Sequence, residues 1–154
     1  MNRFGSILLI HDESPGFESA LTKAIVLAKR DGGRLTIAAT IRRPEGRIVD
    51  LISRSSPAFS SEREAERRRV EGSVARTVEQ ARSRGAKTTA VLLDGEPPSA
   101  IVSHIIDHRY DLVIVMDNPG HTFVQLFTKR LPTRILRMSP SPVWVIKPHS
   151  EVRI

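Results

Sequence analysis

Five short apolar runs, separated by segments with helical spacing, constrain this chain more than any other feature. They are SILLI (residues 6–10), RLTIAATI (34–41), KTTAVLL (87–93), DLVIVM (111–116) and PVWVI (142–146). Runs this short, without strict apolar/polar alternation, suit strands buried on both faces. Between the first two, Ser14 and Pro15 offer an N-cap and a first-turn proline. Phe17, Leu21, Ala24 and Leu27 or Ala28 then keep helical spacing until Asp31-Gly32-Gly33 ends the helix. Further helices are predicted from about Ser61 to Arg84, from Pro97 to Arg109, and from about Thr122 to Met138, the last bent or delayed by Pro132. Nine alternating elements predict an α/β fold, a five-stranded parallel sheet with helices on both faces. Residues 42–61 read as a loop longer than ordinary connections.

At 154 residues the chain has the length of one domain. It has no cysteine, which excludes disulfides and thiolate metal sites and suits a reducing compartment. Only four consecutive apolar residues precede His11, Asp12 and Glu13, too few for a signal-peptide core. No run approaches the ~18 residues of a membrane span either, so a soluble, cytoplasmic protein is expected.

The net charge of +7 raises the question of an anionic partner. The run EREAERRRVE (62–71) holds four Arg and four Glu, sums to zero, and reads as a solvated helix face with i,i+4 pairs. Residues 118–150 carry Lys129, Arg130, Arg134, Arg137 and Lys147 with no acid. One Trp and one Tyr offer little base stacking, so nucleic acid is not the expected partner.

In a parallel sheet, ligands sit beyond the carboxyl ends of the strands, where strand order reverses. HDES (11–14), DGEPP (94–98) and DNPGHT (117–122) are the loops that matter. His11 and His121 flank that crevice. No nucleophile, base and orienting group form a set, so no enzymatic activity is expected.

Five pieces in order resemble the universal stress protein family across nearly the whole chain. ILLIHDES matches its strand ending in Asp-x-Ser, placing Asp12 and Ser14. AIVLAKRDGGRL (24–35), GEPPSAI (95–101), DLVIVM and ILRMSPSPVWV (135–145) follow at fitting spacings. The resemblance implies a family domain over residues 1–148 with a tail at 149–154, strand order 3-2-1-4-5, and a switch point between strands one and four. It also implies a homodimer through strand five (Val143, Trp144, Val145, Ile146), and allows a second tandem domain or another protein partner.

In the nucleotide-binding branch the resemblance implies bound ATP or AMP, with Asp12 at the adenine-contacting position; Ser14, Thr40, Asp117, Gly120, His121, Lys129 and Arg130 complete the candidate site. The family's phosphate loop is G-x-x-G, nine residues, then G-[ST]. Here its first glycine is Asp117 and its second is Gly120. The closing pair falls on Arg130-Leu131 counted forward, or Lys129-Arg130 counted back. Asp117 adds a Cβ and a negative charge where glycine would let main chain approach a phosphate, and Pro119 has no N–H to donate. The expectation is a non-enzymatic binding or regulatory domain in stress response, with nucleotide binding weakened or lost and no cofactor required. In the alternative, Lys129 and Arg130, or Mg²⁺, serve the phosphates instead.

Two other constellations stand out. His104 and His108 are i,i+4 with Asp107 beside them, a spacing that can serve a metal; an exposed polar face is the expectation, for want of a third ligand. The opening strand with its acids, Asp94 after strand three and Lys147 after strand five also resemble a phospho-acceptor receiver, in which Asp94 takes the phosphoryl group.

Overall fold

The computed structural model describes residues 3–41, 57–117 and 130–147, with 57–60 and 130 as backbone. Its elements in chain order are β1 (Ser6–Ile10), α1 (Phe17–Asp31), β2 (Arg34–Ile41), α2 (Pro57–Ser83), β3 (Lys87–Asp94), α3 (Pro97–His108), β4 (Leu112–Met116), α4 (Arg130–Met138) and β5 (Val143–Ile146). The strands form one sheet in the order β3-β2-β1-β4-β5, parallel at every pairing.

Burial on two faces explains the unbroken apolar runs. Ile7 and Leu9 of β1, Leu35 and Ile37 of β2, and Leu112 and Ile114 of β4 join one core with α1 and α2. The intervening Leu8, Ile10, Ala38, Val113 and Val115 join a second core with α3 and Ile135 of α4. Successive strand side chains point to opposite faces, so each central strand must be apolar at every position.

Helix α1 buries Phe17, Ala20, Leu21, Ala24, Ile25 and Ala28, one stripe of the 3.6-residue period. Its N-cap is Gly16, not Ser14 as the sequence suggested. The N–H of Ser14 donates to Oδ1 of Asp12 at 2.7 Å, and the N–H of Phe17 donates to the Ser14 carbonyl at 3.1 Å. This Asx turn uses Ser14 in the loop and delays the helix by two residues. At the other end Gly32 takes the left-handed conformation (φ 66°), its N–H turned back on the last helical carbonyls.

Residues 57–61 are helical, within α2, rather than part of the loop expected from the sequence. The remainder of that loop, residues 42–56, lies outside the described residues. Val70, Val74, Thr77, Val78 and Ala81 bury the second half of α2, while residues 61–69 are exposed apart from the half-buried Glu66. Near its end, Nε of Arg82 donates to the carbonyl of Thr88 on the edge strand β3 at 2.9 Å.

The described part of α4, Arg130–Met138, contains Pro132. The predicted portion from Thr122 to Lys129 lies outside the described residues.

Beneath α3, the sequence expectation of an exposed histidine face needs correction at His104, while Asp107 and His108 are exposed as expected. His104 is buried, with Nε2 2.6 Å from the Tyr110 hydroxyl, and His108 stacks on it at 4.1 Å between ring centroids while Nδ1 of His108 lies 3.1 Å from the His104 carbonyl. The i,i+4 spacing set a common face, but Tyr110, returning beneath the helix, turned its first member inward. Among the described residues no three His, Asp or Glu side chains gather as a metal site.

Burial lowers the pKa of His104 and of His11 below 6.5. Below pH 6.5 the unfolded chain therefore binds protons that the folded chain refuses, and stability falls as pH drops. Above 6.5 this contribution is fully present. A urea midpoint series is expected to be flat from pH 8 to 6.5 and to decline from 6.5 toward 5. That window lies above the carboxylates held low by hydrogen bonds: Glu13 (ordinary value 4.5), bonded to Arg69, and Asp31 (ordinary value 3.8), bonded to Arg30. A flat profile down to pH 5 would contradict it.

Candidate functional site

The strand order reverses between β1 and β4, and the register places the site there. Leu9 pairs with Ile114, and Asp12 and Asp117 each lie three residues further on. Ile10 pairs with Ala38, and Asp12 and Thr40 each lie two residues further on. Asp12, Thr40 and Asp117 thus come to one carboxyl edge across β2, β1 and β4, all half-buried. Gly120, His121 and Lys129 lie outside the described residues, and Arg130 is placed only as the first residue of α4.

The loop after β1 is held on three sides. The N–H of His11 donates to the Ala38 carbonyl at 2.7 Å, carrying the β1–β2 ladder one residue further. The His11 ring meets Phe17 edge-on, and its Nε2 lies 3.0 Å from Oγ of Ser73 on α2. Both carboxylate oxygens of Glu13 accept from Nη1 of Arg69 at 2.8 Å, and Arg69 also bonds Glu66. The Arg69 hydrogen bond holds the Glu13 carboxyl below its usual range, whereas the raised pKa of Arg69 comes first from Glu66 and then Glu13. Sequence reading missed this clamp, because Arg69 and Ser73 lie 56 and 62 residues from their partners and nothing local marks them.

Ser14 is 7% exposed, and its Oγ has no hydrogen-bond partner among the described residues. A buried hydroxyl without a partner is uncommon in native proteins, and at a switch point it is a group available to a ligand. Beyond β4, the N–H of Asp117 donates to the Ile146 carbonyl at 2.8 Å, extending the β4–β5 ladder. That N–H is occupied and is therefore not a free main-chain donor at the crevice edge.

Asp94, the acceptor in the receiver alternative, does not join this site. β3 is an edge strand, β2 separates it from β1, and Asp94 stands 3.8 Å from Arg63 and 4.0 Å from Arg67 on α2. Lys147 follows the opposite edge strand. A phospho-acceptor constellation needs its acids on neighbouring strands, and this strand order keeps them apart. Of the basic C-terminal segment, Arg134 lies 3.4 Å from Glu96, while Arg137 and Lys147 are exposed. Among the described residues no helix is long and apolar enough to cross a membrane.

Comparison with known proteins agrees with this architecture. The family model described as "Universal stress protein family" matches residues 3–147. Universal stress protein E of Photorhabdus laumondii subsp. laumondii is 26% identical over 161 residues, covering 96% of this chain and 46% of that protein; the chain thus spans about half the length of this relative. Among solved structures, the universal stress protein UspA from Lactobacillus plantarum superposes with a TM-score of 0.77 at 18% identity, covering 95% of this chain and 99% of that one. The universal stress protein from Archaeoglobus fulgidus in complex with dAMP gives 0.65 at 19% identity, covering 95% and 100%. With a family model spanning both cores and the switch-point loops, the chain belongs to the universal stress protein family.

Proposed function

We propose that this chain is a non-enzymatic binding and regulatory module of the stress response, whose adenine-nucleotide site between β1 and β4 is weakened at its phosphate end. The dAMP complex of the Archaeoglobus fulgidus relative supports placing a nucleotide in this family's fold. In this chain the unpartnered Ser14 hydroxyl and the nearby Asp12 and Thr40 suit the polar edge of a nucleoside. The phosphate end does not fit as well. The feature that supports the reading is Asp117, an acid at the position of the family loop's first glycine, whose N–H is bonded to Ile146 and so is not free for a phosphate. Pro119, which has no N–H, removes another donor from the same loop.

Calorimetric titration with ATP and Mg²⁺ tests it. Binding weaker than about 100 μM, roughly −5.5 kcal/mol, is expected. Micromolar affinity that is lost in Lys129→Ala or Arg130→Ala would replace this reading with one in which those cations hold the phosphates.

The regulatory role is proposed to operate in a homodimer. β5 is an edge strand whose four residues, Val143, Trp144, Val145 and Ile146, carry no charge, and Trp144 is 38% exposed. Such an edge invites another strand unless it is covered. Sedimentation at tens of micromolar is expected to give a dimer, and Trp144→Arg to give a monomer with unchanged circular dichroism. A monomeric unmodified protein would defeat the proposal.

A further inference from the structure

His11 stands where the site loop meets three secondary-structure elements. Its main chain is bonded to β2, its ring lies 5.2 Å from Phe17 of α1 at an interplanar angle of 75°, and its Nε2 is bonded to Ser73 of α2. Nδ1 is buried and has no hydrogen-bond partner among the described residues. The residues that follow are Asp12, whose carboxylate closes the Asx turn, and Ser14, with its own unpartnered hydroxyl.

A neutral imidazole tolerates this setting. One nitrogen shares a proton with the Ser73 hydroxyl, and the other is a single buried polar atom. Protonation makes both nitrogens N–H donors and adds a charge, leaving a buried cationic N–H with no acceptor among the described residues. The ring can relieve this only by moving to water, and it cannot do so without releasing Ser73 and Phe17.

We propose that His11 is a pH-operated latch on the β1–α1 loop: neutral, it pins the loop between α1 and α2; protonated, it leaves for solvent and frees residues 12–16.

The charges around the ring act in both directions. From its own loop, Glu13 and Asp12 favour the cation; from α2, Arg69 and Arg76 oppose it; α1 presents the Phe17 ring and β2 the Ala38 carbonyl. Glu13 is already engaged by Arg69, which offsets part of its pull. Burial is the largest influence and holds the His11 pKa below 6.5. A released ring titrates near the ordinary 6.5. Between that value and the lower latched one, each unit of acidification therefore raises the open population by up to about tenfold.

The latch involves no ligand, so it stands or falls separately from the nucleotide reading. The test is amide hydrogen exchange of residues 12–16 between pH 7.5 and 5, corrected for intrinsic rates and referenced to α3 amides, alongside an NMR titration of the His11 ring. The unmodified protein is expected to show His11 titrating below 6.5 and loop opening that rises up to about tenfold per pH unit below 6.5. His11→Gln is expected to lose that dependence. The latch is overturned if His11 titrates at or above 6.5, if loop opening is independent of pH, or if His11→Gln retains the dependence. Should His11→Gln fail to fold, the unmodified protein decides alone, because ring titration and loop opening must then follow the same proton.

Discussion

Gly33→Ala is expected to lower the unfolding free energy by about 3 kcal/mol, the upper end of what overpacking costs. A Cβ at Gly33 would lie 2.3 Å from the Phe4 carbonyl oxygen and 3.0 Å from the carbonyl carbon and oxygen of Gly5. These are main-chain atoms held in place: the N–H of Phe4 donates to Asp31, and the N–H of Arg34 to the Gly5 carbonyl. The turn from α1 into β2 therefore crosses directly against the chain entering β1, and neither segment has room to yield. Gly32 beside it is a useful contrast. It has a positive φ of 66°, but no atom lies within 4 Å of where a Cβ would stand. Gly32→Ala is therefore expected to cost only about 1 kcal/mol, from backbone conformation alone. Urea unfolding at constant m-value would measure both. If Gly33→Ala proved the milder of the two, the close approach would not be what requires glycine.

Asp117→Gly is expected to tighten ATP binding at least a hundredfold in calorimetric titration with Mg²⁺. Two unit charges about 4 Å apart at a partly exposed site repel by up to ~4 kcal/mol, and ~2.7 kcal/mol already corresponds to a hundredfold. The main-chain N–H of residue 117 stays bonded to Ile146 in either case, so the gain comes from removing the carboxylate and the Cβ. Asp117→Asn separates these two contributions by removing the charge and keeping the bulk. Charge repulsion predicts that Asn recovers most of the affinity; crowding by the Cβ predicts that it recovers little. If neither variant binds better than the unmodified protein, Asp117 is not what weakens the site.

The sheet was legible because its cause is local. Continuous apolar runs such as LVIVM admit few explanations besides burial on both faces, and Gly32-Gly33 ended α1 where the sequence said it would. Helix beginnings were less legible. Ser14 is a good capping residue, but Asp12, two positions earlier, claimed its N–H for a turn and moved the cap to Gly16. For His104 the i,i+4 spacing implied a shared face with His108 without saying whether that face met water; Tyr110, beyond the end of the helix, bonds His104 in the interior. At the site, Asp12 and Ser14 could be read from their own strand and loop. The α2 side chains that hold their loop could not, since Arg69 lies in a run of charges that looks solvated until the fold brings Glu13 alongside. Gly120, His121 and Lys129 lie outside the described residues.

The two borders of the sheet are chemically unlike. Along β3 stand Lys87, the Arg82 guanidinium on the Thr88 carbonyl, and Asp94 beside two arginines, whereas β5 offers only Val-Trp-Val-Ile. Growth by strand addition is thus open in one direction and guarded in the other. Two copies meeting at their uncharged borders would turn only guarded ones outward, so the assembly closes on itself at two instead of propagating into a filament.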